Sequence, residues 1–197
     1  RDLGIRELEK PQVLLDGAVE KIRAEFLKLG WSPNGVTPEL FQELKFQLSE
    51  VIGLRLYTGP MFIVYNSALR AMADNGPAAP PGIIPSWDRT FAGQDVRGSY
   101  VTTIHVINSG VVKLSRVQPA TTIFRGACGM KLPKSFMEPN EFNIEAGVEY
   151  GFMSTTLDRR VAEKYCKGQS DAPSLIFEMQ QGMVNRGAFL GWLSQYP

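Results

Sequence analysis

Apolar residues recur at spacings near the helical period through most of the first 118 residues. This pattern predicts four helices, over residues 10–29, 37–52, 59–75 and 99–116. Gly30 is expected to stop the first helix, and Ser99 to cap the fourth. Thr37 is expected to cap the second helix, with Pro38 at its first position and Glu39 near its positive end.

The stretch between the third and fourth predicted helices, residues 76–98, is rich in Pro and Gly. Its Pro80-Pro81-Gly82 cannot lie inside a helix or a central strand. We expect an ordered loop rather than a domain linker, because the stretch contains apolar residues that need burial: Ile83, Ile84, Trp87 and Phe91.

The pattern changes at Thr121. Short runs rich in β-branched and aromatic residues predict three strands, Thr121–Arg125, Phe152–Thr155 and Leu175–Met179. A short helix, Asp158–Lys167, is expected between the last two strands, with Gly168 as its stop. The predicted fold class is therefore α+β, with a helical lobe over residues 1–118 and a sheet-rich lobe over residues 119–197.

The composition narrows the class of protein. The chain has 197 residues, of which 44% are hydrophobic, enough for one sizeable core. Lys and Arg number 21 against 20 Asp and Glu, so the basic excess of a general nucleic-acid or anionic-membrane binder is missing. No apolar run approaches the roughly 20 residues that a membrane helix needs. Because the chain begins with Arg1 and shows no leader pattern, we expect a piece of a longer protein, with the cytoplasm slightly favoured and the compartment otherwise open.

Few residues offer metal ligands or nucleophiles. Cys128 and Cys166 are too few for a disulfide framework in a chain of this length, and free, partly buried thiols are expected. His105, the single histidine, lies in an apolar helical pattern, which favours a structural role. With one histidine and no cysteine cluster, the sequence predicts no metal site and no Ser-His-Asp triad.

Arg125-Gly126, at the end of the first predicted strand, is the first candidate for chemistry. Arg carries a flat fork of donors suited to phosphate or carboxylate, and Gly lets a ligand approach the backbone closely. The alternative is an internal salt bridge for Arg125 with a turn glycine behind it. Taken alone, Arg125-Gly126 favours that alternative.

Ser154-Thr155-Thr156 and Tyr165 form the second group of candidates. Ser154 is suited to position a ligand or a carboxylate by hydrogen bonding, and Tyr165 offers a flat face for a ring to stack on. The alternative for the triplet is a strand end whose Thr156, or Asp158 beyond it, caps the following helix. The alternative for Tyr165 is packing on the apolar side of its helix.

The segment before the hydroxyl triplet is acidic. It contains four glutamates, and we interpret it as a solvated loop because no partner base is apparent for acid–base catalysis: Glu138, Glu141, Glu145 and Glu149.

The order of these motifs, followed by Leu193-Ser194-Gln195-Tyr196-Pro197, resembles the mono-ADP-ribosyltransferases of the Arg–Ser–Glu class. That class includes the vertebrate arginine-specific enzymes and several bacterial toxins. The resemblance is closest in Thr122–Gly126, Tyr150–Thr156 and Leu193–Pro197 and extends more weakly to Tyr57–Arg70 and Tyr100–Leu114. It implies a split β-sheet core of ADP-ribosyltransferase type, the two lobes together forming one catalytic domain of a larger protein.

The resemblance also implies residue roles. Arg125 would hold the diphosphate side of NAD, and its backbone with that of Gly126 would line the nicotinamide. Ser154 would orient the catalytic glutamate, with Thr155 beside the cofactor, and Tyr165 would lie against the nicotinamide.

Further segments receive roles on the same basis. Thr156 replaces the serine that usually ends the family's Ser-Thr-Ser and keeps the hydroxyl. Residues 131–148 would be the flap over the ligand, here unusually acidic, and Ser194–Pro197 would begin the loop that presents the target.

In the family, a Glu-x-Glu motif follows the Tyr-Pro by one residue, so both glutamates would lie beyond Pro197. The expected function is transfer of ADP-ribose from NAD, as substrate and without a metal, to a protein acceptor bearing arginine, with release of nicotinamide. We expect the 197 residues by themselves to be nearly inactive while retaining NAD affinity. The alternative is a catalytically dead NAD-binding or protein-interaction module on the same scaffold.

Overall fold

The computed structural model describes residues 10–73, 100–129, 132, 134–166, 173–182 and 186–195. The chain divides into two compact units. The first comprises Arg1–Pro119 with Arg186–Pro197, and the second comprises Ala120–Asn185. The described part is mixed α+β, with seven α-helices and one two-stranded sheet. The split sheet core implied by the resemblance stays a prediction, as does the lobe boundary after residue 118.

The first unit is helical. Its helices are α1 (Pro11–Asp16), α2 (Ala18–Lys28), α3 (Pro38–Leu44), α4 (Leu48–Thr58), α5 (Phe62–Ala73) and α6 (Val101–Ser115). Ser99, the predicted loop over residues 76–98 and the predicted stop after residue 75 lie outside the described residues. Within the described residues, no helix combines the length and apolar character needed to cross a membrane.

The predicted helix over residues 10–29 is two helices, because Gly17 interrupts it between α1 and α2. Its predicted end is confirmed. Gly30 has a left-handed φ of 71°, its N–H donates to Leu27 O at 3.1 Å, and the N–H of Trp31 donates to Phe26 O at 2.8 Å. The rings of Phe26 and Trp31 meet edge to face at 5.1 Å. This paired hydrogen bonding with an apolar clasp is a Schellman stop, which a glycine accommodates without strain.

The predicted helix over residues 37–52 also divides. Its start is confirmed, since Thr37 Oγ1 accepts a hydrogen bond from Leu40 N at 3.2 Å. Lys45 then adopts a left-handed φ of 49° and ends α3. The chain restarts at Gln47, whose N–H donates to Glu50 Oε2 at 2.7 Å, and α4 continues to Thr58.

The contact between α4 and α6 lies at the core of the helical unit. Glycines on both helices allow a close approach. A Cβ on Gly110 would lie 2.8 Å from Leu54 Cδ1, and one on Gly53 would lie 3.1 Å from Val106 Cγ1. Fully buried side chains fill the surrounding core, including Leu14, Phe26, Val36, Val51, Leu54, Ile107 and Leu114. The predicted helix end near Arg116 is confirmed. His105 lies on α6 and is exposed.

Residues 186–195 pack against the helices of the first unit. The ring of Phe189 lies 6.3 Å from that of Phe26, and Leu193 is fully buried. Arg55 Nη1 donates to Leu193 O at 3.0 Å, and Gln195 Nε2 donates back to Arg55 O at 2.7 Å. The part of Leu193–Pro197 that the structure describes is therefore held by α4.

The second unit contains the sheet. Strand β1 (Thr122–Ala127) pairs antiparallel with β2 (Leu175–Gln180), with Thr122 opposite Gln180 and Ala127 opposite Leu175. The helix α7 (Arg159–Cys166) packs on both strands, and a single 3₁₀ turn spans Lys134–Phe136. The first and third predicted strands and the short helix are confirmed, although Gly168 lies outside the described residues.

The predicted strand Phe152–Thr155 is wrong. Only Thr156 pairs with β1, through a single bridge in which Thr156 and Phe124 exchange N–H···O bonds of 2.8 Å. In the described part of the chain, residues 152–155 pair with no strand, and one bridge at Thr156 is not the ladder of hydrogen bonds that a strand needs.

Candidate functional site

One hydrogen bond joins the two motifs that the sequence analysis singled out. Arg125 Nη1 donates to the backbone oxygen of Ser154 at 2.9 Å. The Phe124–Thr156 bridge fixes the same two segments one residue earlier and two residues later. Residues 29 positions apart in the sequence are thus held side by side within the second unit.

Arg125 is half-buried as a residue, and the hydrogen bond of its guanidinium lies at an exposed position. Among the described residues, its hydrogen bond to Ser154 uses Nη1 alone, and no carboxylate pairs with it. The internal salt bridge that was the alternative for Arg125 is therefore absent from the described residues. A guanidinium has five N–H donors, so Nε and Nη2 remain able to bind an anionic oxygen.

Gly126 has a packing role. A Cβ at this position would lie 2.0 Å from the backbone oxygen of Ala162 and 3.0 Å from Cys166 Sγ. The face of β1 at Gly126 is consequently occupied by α7. The predicted role of Gly126 in lining the nicotinamide stays a prediction. Any such contact would use backbone atoms of Gly126 that α7 does not cover.

The hydroxyl triplet has two different structural roles. Ser154 and Thr155 are exposed, and Ser154 holds Arg125 through its carbonyl. Thr156 Oγ1 accepts a hydrogen bond from Asp158 N at 3.2 Å and so forms a turn before α7, whereas the residue that caps the helix is Asp158. The roles predicted for Ser154 Oγ and Thr155 toward a ligand stay predictions.

Asp158 starts α7. Its Oδ1 accepts a hydrogen bond from Arg160 N at 2.8 Å, which satisfies an N–H group at the beginning of the helix. The guanidinium of Arg160 donates to the same carboxylate, with Nη2 2.9 Å from Oδ2. These hydrogen bonds, first from the side chain and then from the backbone of Arg160, lower the pKa of the Asp158 carboxyl below its usual value.

Tyr165 lies on α7 with 73% of its surface exposed, whereas Ala162, three residues earlier, is buried against β1. The alternative in which Tyr165 packs on the apolar side of the helix is therefore wrong. The ring is open to stacking by a ligand, which is the role the resemblance implies.

Two contacts that join α7 to the sheet were not predicted. Arg159 Nη1 pairs with Glu178 of β2 at 3.2 Å, and Cys166 Sγ donates to Leu175 O at 3.2 Å. Arg159 also pairs with Glu163 of its own helix at 3.2 Å. The spacing of Arg159 and Glu163 on one helix face was a readable signal. Glu178 was not, because its position depends on the register of β2. Both thiols are free, Cys128 exposed and Cys166 half-buried.

The side chains of this site can be compared with the chemical groups of NAD. Among the described residues, Arg125 keeps N–H donors that could bind a diphosphate, and Ser154 lies beside it. Tyr165 lies on α7, which covers the face of β1 at Gly126, and Arg125 projects from the opposite face because successive strand residues alternate. Arg125 and Ser154 together therefore suit an anionic group, whereas the predicted stacking role of Tyr165 stays a prediction. Over the described ranges, no group of three His, Cys, Asp or Glu residues could hold a metal ion.

No family model, curated protein or solved structure matches this chain. The function is therefore argued from the geometry of residues 122–165.

Proposed function

We propose that this chain carries the NAD-binding part of a mono-ADP-ribosyltransferase, which transfers ADP-ribose from NAD to a protein acceptor and releases nicotinamide. Arginine is the expected acceptor. The observation that carries the proposal is the 2.9 Å hydrogen bond from Arg125 to Ser154 O. It brings the Arg-Gly and Ser-Thr-Thr motifs together in space. Taken singly in the sequence, each motif has a purely structural explanation.

The chemistry explains why such residues would be needed. Breaking the bond between ribose and nicotinamide develops positive charge on the ribose, so the transition state is oxocarbenium-like. Arg125 would hold the diphosphate and fix the ribose in position, which lowers the entropic part of the barrier. The carboxylate that stabilises the cation is implied by the resemblance and is assigned to no residue described here.

The electrostatics of the site support an anionic ligand. In the second unit, Arg159 pairs with Glu163 and Glu178, and Arg160 pairs with Asp158. Arg125 differs, because within the described residues it pairs with a neutral carbonyl and with no carboxylate. A guanidinium that pairs with no described carboxylate can take an anionic ligand as its counter-ion.

The proposal is tested by NAD binding to the 197-residue chain, measured by calorimetry and by thermal unfolding. Saturating NAD should stabilise the protein by RT ln(1+[L]/Kd), about 2.7 kcal/mol at a hundredfold excess over Kd. Arg125→Lys should weaken NAD binding by about tenfold or more, because lysine keeps the charge but loses the fork.

The matched control is Arg160→Lys, in the same unit, whose partner is Asp158. It should leave NAD affinity within about twofold of the parent chain, since lysine keeps the charge beside Asp158 and Arg160 has no proposed contact with NAD. Absence of any NAD-dependent stabilisation, or equal NAD affinity of Arg125→Lys and the parent, would contradict the proposal.

A further inference from the structure

The segment from Met137 to Tyr150 exposes an unusual number of apolar side chains. Its large apolar residues have exposed fractions between 53% and 73%: Met137, Phe142, Ile144, Val148 and Tyr150. Single exposed apolar residues are normal on a protein surface, whereas several in one short segment mark an interaction site.

The backbone of this segment is held in a defined conformation. Asn140 Oδ1 accepts hydrogen bonds from Phe142 N at 2.9 Å and from Ile144 N at 3.0 Å, and Asn140 N donates to Ile144 O at 3.0 Å. The ring of Phe136 lies so close to Gly147 that a Cβ there would be 2.0 Å from Cε2. Phe142 and Ile144 therefore project from a folded turn rather than from an extended chain.

The charge of the segment is uniformly negative. Glu138, Glu141, Glu145 and Glu149 interleave with the apolar residues, and residues 135–158 contain no Lys, Arg or His. This charge opposes contact with anionic lipids or nucleic-acid phosphates. It also opposes the predicted role as a flap over the NAD diphosphate, because carboxylates and phosphates repel each other.

We infer that residues 137–150 form a docking segment for a protein partner whose surface presents Lys or Arg around apolar pockets. Apolar side chains supply the buried area of such an interface, and the surrounding charges select the partner and accelerate association. The inference goes beyond the proposed function and does not depend on NAD, since it uses none of Arg125, Ser154 or Tyr165.

The test uses the 197-residue chain without NAD and a fluorescent amphipathic helical peptide of about 18 residues built from Lys and Leu. Fluorescence anisotropy should report saturable binding of this peptide. Replacing its Leu by Ser at constant charge should weaken binding by about tenfold or more, because the apolar contact is lost.

Two pairs of substitutions locate the binding. Phe142→Ser with Val148→Ser should weaken binding of the Lys/Leu peptide by about tenfold, and Glu141→Gln with Glu145→Gln should weaken it less and reduce its dependence on salt. The control pair, Val13→Ser with Leu27→Ser, removes exposed apolar residues from the helical unit and should leave peptide affinity within about twofold.

Several outcomes would overturn the inference. The first is equal affinity of the parent and the Phe142→Ser/Val148→Ser variant, or equal binding of the Leu- and Ser-containing peptides. Binding to phosphatidylserine vesicles that this variant loses would assign the segment to a membrane. Concentration-dependent self-association that the variant loses would assign it to a second copy of the chain. Protection of the Phe142 and Val148 side chains from hydroxyl-radical footprinting in the free protein would mean that the chain itself covers them.

Discussion

At the scale of single residues, the position of Gly126 is set by a helix lying across a strand. The backbone oxygen of Ala162 occupies the volume in which any other residue would place its Cβ. The glycine therefore lets α7 approach β1, and this approach positions Tyr165 and Arg125 in the same small unit.

Gly126→Ala should destabilise the second unit by about 1–3 kcal/mol, because α7 must move away from β1 to admit the methyl group. Urea unfolding, followed through amide exchange of the sheet residues, would measure this change. Gly182→Ala is the matched control, since a Cβ there meets nothing within 4 Å. Equal stability of the two variants would contradict the packing role of Gly126.

The chemical roles of residues were only partly predictable from the sequence. The motif order predicted that Arg125 and Ser154 belong to one site, and the structure joins them. It joins them through the carbonyl of Ser154, which every residue type possesses, rather than through the hydroxyl. Side-chain identity carries no information about such a backbone contact, so this hydrogen bond could not be predicted from the sequence.

At the scale of elements, helix ends were predictable and helix interruptions were not. The stop at Gly30 and the cap at Thr37 follow from local chemistry, because the residue types required at those positions are specific. The break at Lys45 is different. Lys113 Nζ of α6 donates to the backbone oxygen of Lys45 at 2.8 Å, and that contact is tertiary.

Glu50 is the buried link between α4 and α6. It is 3% exposed, and its Oε1 accepts hydrogen bonds from Ser109 Oγ at 2.6 Å and Lys113 Nζ at 2.7 Å. A carboxylate held in this way stabilises the helix pair only while all its partners are present.

Glu50→Gln should lower the free energy of unfolding of the helical unit by about 3 kcal/mol, because Lys113 loses its counter-ion in a largely buried position. Chemical denaturation followed by circular dichroism measures the change. Glu43→Gln removes an exposed ion pair with Arg116 and should change stability by less than about 0.5 kcal/mol. A loss of stability in both variants alike would indicate a general charge effect instead.

At the scale of the whole molecule, the chain leaves the helical unit after Pro119 and returns to it at Arg186. The returning segment contributes Phe189, Trp192 and Leu193 to the core of that unit. Periodicity in the sequence could not predict this return, because residues 186–195 form no regular element and their contacts span the length of the chain.

Leu193→Ala should destabilise the helical unit by about 2–5 kcal/mol, because Leu193 is fully buried and its removal leaves a cavity. The comparison is Leu27→Ala, at a position 65% exposed, which should cost less than about 1 kcal/mol. Thermal and urea unfolding of both variants would measure the difference. A tolerated Leu193→Ala would mean that the segment is not part of the folded core.

The chain crosses between the units at two points. A hydrogen bond within the first unit joins the residues next to these two points. Arg186 Nη1 donates to Gln118 O at 2.9 Å, immediately before the chain leaves and immediately after it returns. The second unit is thus a closed loop whose ends are tied together by the first. Once the helical unit has folded, most of the loop-closure entropy of the insert has already been lost. We therefore expect the insert to open and refold locally while the helices keep their own hydrogen bonds and core.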